Sequence, residues 1–331
     1  MRSRSRRVAQ VKLRLVARLQ DGMHRPGDRF LSARAVARHF RISYQTAHWL
    51  LQELDAEGLL TRVEASGTYL AGGRPRIGRA QLVLAARGRR TGSFGDRLRR
   101  TLEREFEAQR IKRTLRWCDG GGRGRAARVS GGVLPVIWDA PDVLETYLER
   151  RRSAILLNER PPSGLDSVFI DSVSVDDFTG GVCAAQLLER GSRGGPFAVL
   201  AGPERDPRSR ARVAGCLSRI QGTVIVVGSW YLEDGLLAAE AAVSAGRGGV
   251  FCANDRLAEA VHQWCAGAGR PCPPLVGFDD APVAEAIGLT TIAIPWEEVA
   301  SVTAALIRRR LADHSAAARH VVLSPRPVVR Q

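Results

Sequence analysis

Residues 24–72 read HRPGDRFLSARAVARHFRISYQTAHWLLQELDAEGLLTRVEASGTYLAG. Ser32 is placed to cap a short helix in which Val36 and Phe40 point inward, four residues apart. His39-Phe40-Arg41-Ile42 makes a turn, and Ser43 caps the next helix, whose buried face is Ala47, Leu50, Leu51 and Leu54. Gly58 stands where a left-handed residue closes a helix. Leu59–Val63 and Thr68–Leu70 then form two short strands, joined by Glu64-Ala65-Ser66-Gly67. Working outward, Val8, Val11, Leu15 and Leu19 recur at three- and four-residue spacing as one face of an earlier helix. Asp21-Gly22 ends that helix, and Arg25-Pro26-Gly27-Asp28 is a turn. Helix, short helix, turn, helix and hairpin is the plan of a winged helix-turn-helix over residues 8–72.

Charge points the same way. The 331-residue chain carries a net charge of +16, and residues 1–80 hold 16 Lys and Arg against 6 Asp and Glu. All but two of the basic residues are arginine, Lys12 and Lys112 being the exceptions. That bias explains arginine over lysine, but not why net positive charge gathers in the first quarter. A basic module there fits a polyanionic partner, double-stranded DNA.

The stretch quoted above resembles the N-terminal domain of the GntR family of bacterial transcription regulators, with PGD, SAR, ELDAEGLL and SGTYL in order. A recognition helix enters the major groove N-terminus first, so Ser43, Tyr44, Gln45, Thr46 and His48 lead towards base edges. Gln45 can pair bidentately with adenine, and Thr46 can bond a base or touch a thymine methyl. Arg34 and Arg38, on the preceding helix, can reach phosphate or guanine, and the resemblance makes Arg34 an operator-contacting arginine. Arg62 can bind the neighbouring phosphate, and Gly67 lets the hairpin backbone approach DNA closely. Tyr44 and His48 stand where arginines are common in that family, so the operator cannot be carried over. Trp49 replaces a usual basic residue and suits either packing or DNA contact.

Residues 73–80 follow as a short polar Pro/Gly linker. Over 81–331, strand-like runs alternate with helical ones. Candidate strands are 81–85, 133–137, 154–157, 197–200, 223–227, 249–252 and 275–277, with a helix at 95–109. This rhythm predicts an α/β fold of parallel sheets covered by helices. Enzyme motifs are weak: GxxxxGK, GxSxG and HExxH are absent, and Gly122-Arg123-Gly124-Arg125-Ala126-Ala127 leaves no room for a pyrophosphate-binding helix. It reads as a Gly/Arg loop.

VSVDDFTGGVCAAQLLERG, LAGPERDPRSRARVAG, VFCANDRLAEAV and LVGFDDAPVAEAIGLTTI then occur in order. The series resembles the sensing domain of the LacI/GalR regulators, a periplasmic-binding-protein-like fold with two lobes and an effector between them. The likeness is strong over 168–331 and thin over 81–167. A GntR-type reader joined to such a sensor resembles the arrangement of the arabinose-responsive repressors. The resemblance places Arg212, Asn254 and Asp279 at effector positions, Trp230 at the aromatic stacking position and Asp177 at an inter-lobe polar position. It places the lobe crossings near 191–195, 291–295 and 317–322. Phe94 is a candidate for the opposite face of the ligand. A sugar suits such a set, offering an apolar ring face to indole and hydroxyls to Asn, Asp and Arg.

Structural readings stand beside these. Asn254 or Asp255 can cap the helix that follows, Asp280 with Pro282 can open another, and Asp279 and Arg212 can pair with each other. Ile294 stands where relatives often carry a polar residue, which favours a less polar effector or a lost response.

Six cysteines without a CxxC pair read as reduced core residues, and His262, Cys265 and Cys272 lack the fourth ligand of a structural zinc site. No metal or cofactor is expected. Lacking an 18-residue apolar run or a secretory signal, the chain is expected to be cytoplasmic, with no membrane partner. The expected function is therefore a ligand-responsive DNA-binding regulator, a repressor and a homodimer, rather than an enzyme. The rivals are a DNA-binding protein whose sensing lobes serve only dimerisation, and an α/β enzyme with a DNA-binding head.

Overall fold

The computed structural model describes residues 2–20, 28–63, 67–71, 79–119, 133–149, 152–161, 169–192, 194–313 and 316–330. The turn at 25–27, the hairpin tip at 64–66, most of the 73–80 linker and the Gly/Arg loop at 122–127 lie outside them.

The first unit comprises helices α1 (Arg2–Gln20), α2 (Ala33–Phe40) and α3 (Tyr44–Ala56) and the antiparallel strands β1 (Leu60–Val63) and β2 (Gly67–Leu70). Its first helix begins at Arg2, ahead of the residue-8 boundary expected from the apolar pattern. Ser32 and Ser43 cap α2 and α3 as expected, each accepting from the backbone N–H three residues on. Arg41 takes the left-handed conformation between the helices, with φ 49°, and Gly58 does so after α3, with φ 73°. Val11, Leu15, Val36, Leu50, Leu51 and Leu54 are the centre of a separate apolar core. Lys12 reaches Glu53 (2.7 Å) and Glu57, tying α1 to α3, and these bonds raise its pKa.

Then come β3 (Arg79–Ala85), α4 (Phe94–Ala108), β4 (Arg113–Cys118), β5 (Val133–Trp138), α5 (Pro141–Glu149), β6 (Ala154–Leu157) and β7 (Ile170–Val175). They are followed by α6 (Asp177–Gly191), β8 (Phe197–Ala201), α7 (Pro207–Leu217), β9 (Gly222–Val226), α8 (Leu232–Ala245), β10 (Gly249–Cys252), α9 (Asp255–Gly267), β11 (Leu275–Asp279), α10 (Pro282–Ala286) and β12 (Thr290–Ala293). The last elements are α11 (Trp296–Ala312), β13 (His320–Leu323) and β14 (Arg326–Val328). Two six-stranded sheets result, ordered β13-β7-β6-β5-β3-β4 and β14-β12-β11-β10-β8-β9. Every pairing in them is parallel except β12 with β14. This is the expected α/β architecture of two parallel-dominated lobes. Continuous burial along β5, β6 and β10 explains their runs of apolar residues.

Two of the expected crossings move. The chain leaves the first sheet at Asp176, between β7 and α6, not at 191–195. The reason is close packing of α6 on the second lobe: a Cβ at Gly181 would fall 2.1 Å from the Arg212 carbonyl oxygen, and one at Gly180 2.5 Å from the Phe278 ring. Gly191 instead ends α6, which leads to β8 of that same lobe. The third crossing falls at Ser324-Pro325, after β13, because 320–323 belongs to the first sheet beside β7. The second lies at Ile294-Pro295, inside the expected range. Ile294 itself is buried in the apolar core.

Candidate functional site

A cavity of about 620 Å³ lies between the lobes, lined from the first by the start of α4 and Trp138 and from the second by residues after β8, β9, β10 and β11. It sits at the carboxyl ends of parallel strands, where α/β sheets place their ligands. Its volume is within the usual range for small-molecule sites.

Arg212, on α7, is the hub of the floor. Its Nε donates to Asp177 Oδ1 (2.7 Å), and its Nη1 donates to the Ala253 carbonyl (2.7 Å) and to Asp279 Oδ1 (3.1 Å). The guanidinium lies 3.6 Å from the Phe278 ring centroid and 5.6 Å from that of Trp230. Burial works against its charge, but Asp177 and Asp279 outweigh it and raise its pKa. Asp279 closes β11 with φ 102°, a conformation L side chains rarely adopt, and Asp280 follows with φ 51°. Burial pushes Asp279 up to about 6, although Arg212 opposes this.

Trp230, after β9, donates its indole N–H to Asp206 Oδ2 (2.9 Å). A Cβ at Gly202 would fall 2.5 Å from its ring, so glycine there makes room for the indole. Asn254 uses both ends of its amide: Oδ1 accepts from Leu257 N (2.8 Å), capping α9, and Nδ2 donates to the Trp230 carbonyl (3.0 Å). Asp206 is held well below the usual carboxylate range, because bonds from Arg208 and Trp230 outweigh its burial. Beneath them Asp255 is 1% exposed and accepts from Thr291 Oγ1 (2.6 Å) and Ala281 N (2.6 Å). Burial, then the charge of Asp279, pushes Asp255 up to about 8, so it keeps a proton at neutral pH.

Phe94 stacks on Trp138 with ring centroids 5.7 Å apart and meets Trp296 at 4.9 Å. The first lobe thus offers an aromatic wall, and Phe94, Arg212, Trp230, Asn254 and Asp279 all line the cavity. Asp177 does not; it is buried and engaged by Arg212, so its role is to orient that arginine, not to meet a ligand. Asp280 does not open α10 either. Ala281 is the N-cap and has no side-chain bond, while the Asp280 carboxylate accepts from Arg330 (2.7 Å). Sequence reasoning missed Trp138, Trp296, Arg97, Arg208 and Arg256, which also line the cavity. Arg208 was the most findable, four residues before Arg212 and so on the same helix face.

The second candidate surface is on the first unit. Arg34, Arg38, Ser43, Tyr44 and Gln45 are exposed around α2 and the start of α3, as is Trp49. Ser43 Oγ accepts from Thr46 N (3.1 Å) and lies 2.8 Å from Thr46 Oγ1, so both hydroxyls already serve the cap. His48 Nδ1 is 3.4 Å from Arg62 Nη2, which brings the hairpin to α3, and the Tyr44 ring lies 5.9 Å from that of His48. Gly67 has φ 138°, and a Cβ there would come within 3.3 Å of Arg29 Nε. Its glycine therefore serves the backbone conformation and the neighbouring Arg29, a residue the sequence reading did not single out.

Residues 184–331 match the family model of the periplasmic binding protein-like domain. No curated protein matches the sequence. Among solved structures the chain resembles the transcriptional regulator CelR in complex with cellobiose, at 20% identity and TM-score 0.63 over 87% of this chain and 89% of that one. It also resembles a LacI family transcriptional regulator from Enterococcus faecalis V583 with bound ribose, at 21% identity and TM-score 0.64 over 76% of this chain and 97% of that one. A third likeness is to a LacI family transcriptional regulator from Arthrobacter sp. FB24 in complex with lactose, at 21% identity and TM-score 0.61 over 76% and 98%. The family match is confined to residues 184–331, and these solved structures are those of transcriptional regulators. No helix among the described residues is long and apolar enough to cross a membrane.

Proposed function

We propose that this protein is a cytoplasmic, ligand-responsive transcription regulator: a GntR-type winged helix joined to a LacI-type sensor, acting as a repressor without enzymatic activity. The observation that carries the reading is the inter-lobe cavity, with aromatic rings from both lobes and the Arg212–Asp279 pair on its floor. A lining of that kind accepts a sugar ring by its apolar face and its hydroxyls by fixed polar groups. The three regulator structures compared above were solved with cellobiose, ribose and lactose.

The DNA-reading surface comprises Arg34, Arg38, Tyr44, Gln45 and His48 with Arg62 from the hairpin. Arg34, Arg38 and Gln45 stand exposed on α2 and α3, as a helix bound for the major groove requires. Self-association draws support from Leu237 on α8, which is 87% exposed, and from the half-exposed Val224 and Val226 on the adjoining edge strand β9. A homodimer matches two half-sites of a near-palindromic operator. The effector acts through unequal affinity for the DNA-competent and incompetent states.

Trp230→Ala tests the sensing half. The variant is expected to bind operator DNA and to lose its response to the sugar; an unchanged response at the same concentration contradicts the site.

A further inference from the structure

The cleft is richer in positive charge than a neutral sugar requires. Seven of its lining residues are arginines, against four carboxylates. Most of the arginines have a carboxylate partner: Arg212 holds Asp177 and Asp279, Arg208 holds Asp206, Arg100 holds Asp96, and Arg87 holds Asp139. Arg97, Arg104 and Arg256 have none within ion-pair distance among the described residues.

Arg97, on α4 of the first lobe, donates Nη1 to the Asp280 carbonyl in the second and lies 5.0 Å from the Trp296 ring centroid. Arg256, on α9 of the second lobe, donates Nη2 to the Gly92 carbonyl in the first (3.0 Å). A carbonyl takes a hydrogen bond but does not neutralise a charge, and each guanidinium has five N–H donors. The nearby carboxylates are spoken for. That of Asp280 accepts from Arg330, that of Glu233 is paired with Arg90, and Asp96 is held by Arg99, Arg100 and the Gly92 N–H. Asp255 lies beneath the floor on Thr291 and Ala281, and Glu297 is exposed at the start of α11. Half-buried cations with no carboxylate within ion-pair distance among the described residues attract an anion into a cleft, and guanidinium matches carboxylate or phosphate oxygens geometrically.

We propose that the effector carries an acidic group, phosphate or carboxylate, bound between Arg97 and Arg256 with Arg104 beside them. The inference rests on the reading of this cleft as the effector site. Because the two arginines come from opposite lobes, the anion couples binding to lobe closure.

The test is calorimetry on the full chain with glucose, galactose and mannose, with their 6-phosphates and uronic acids, and with inorganic phosphate. A charged member is expected to bind at least tenfold more tightly than its neutral parent. That advantage should shrink below threefold in Arg97→Gln/Arg256→Gln and in 0.5 M salt. Arg104→Gln, at an exposed position, provides a variant that keeps the fold and is expected to lower the advantage at least threefold. The phosphate and uronate arms identify which acid is read. A neutral parent that binds as tightly as both charged forms overturns the proposal, as does an advantage unchanged in all the variants. Neutral sugars that bind as tightly as their acids, with that binding lost in Trp230→Ala, remove the charge claim and keep the effector cleft; no binding by any sugar removes both.

Discussion

The amide of Asn254 joins the cap of α9 to the backbone of Trp230: Oδ1 accepts from Leu257 N at 2.8 Å while Nδ2 donates to the Trp230 carbonyl at 3.0 Å. Helix placement and indole placement therefore depend on one side chain. Asn254→Asp keeps an acceptor for the cap and loses the donor to Trp230. It is expected to melt within a few degrees of the parent yet bind effector about tenfold more weakly. Asn254→Ala loses both and costs about 1–2 kcal/mol of stability besides. Thermal melts with calorimetry on both variants check this, and equal effector affinity for the aspartate variant contradicts the assignment.

Asp255 makes stability pH-dependent in a direction opposite to that of most carboxylates. Its pKa is raised on folding to about 8, and that of Asp279 to about 6. Between pH 4 and 8 the folded state thus binds more protons than the unfolded state, and stability falls as pH rises. The slope from each group is at most about 1.4 kcal/mol per pH unit within its window. Melting temperatures measured from pH 5 to 8 are expected to decline, and Asp255→Asn to flatten the decline above pH 6. An identical slope in the variant contradicts the protonated assignment.

The core positions and helix caps of the first unit were legible because they are local: Ser32 and Ser43 each bond a backbone N–H three residues away. Trp230, Arg212 and Asp279 were legible through motifs, which lie largely in the span that the domain model also matches, 184–331. The wall opposite them was not. Phe94 meets Trp296, and Arg97 meets the Asp280 carbonyl, across some two hundred residues of sequence that no spacing rule connects. Strands β4 and β7 escaped for different reasons. β4 is a charged, exposed edge strand, while β7 buries Asp171, Ser172 and Ser174 among apolar neighbours and breaks the apolar run. Ser43 was legible as the cap of α3, whereas the engagement of Thr46 by that cap, its hydroxyl 2.8 Å from Ser43 Oγ, was not.

Arg34 tests the DNA-reading surface. It is exposed on α2, and Arg34→Ala is expected to weaken operator binding by about 1–3 kcal/mol while effector affinity stays the same. Fluorescence anisotropy on operator DNA, paired with effector calorimetry, separates the two. Equal operator affinity for parent and variant refutes its contact role.

The central claim is that occupancy of the cleft changes affinity for DNA. Its most direct measurement is an anisotropy titration of the full chain on labelled DNA from its own upstream region, repeated with neutral and acidic sugars. The account predicts sequence-specific binding that at least one sugar shifts by about tenfold or more, a coupling of about 1.4 kcal/mol, and that Trp230→Ala renders insensitive. Specific DNA binding unmoved by a sugar that calorimetry places on the protein would contradict it.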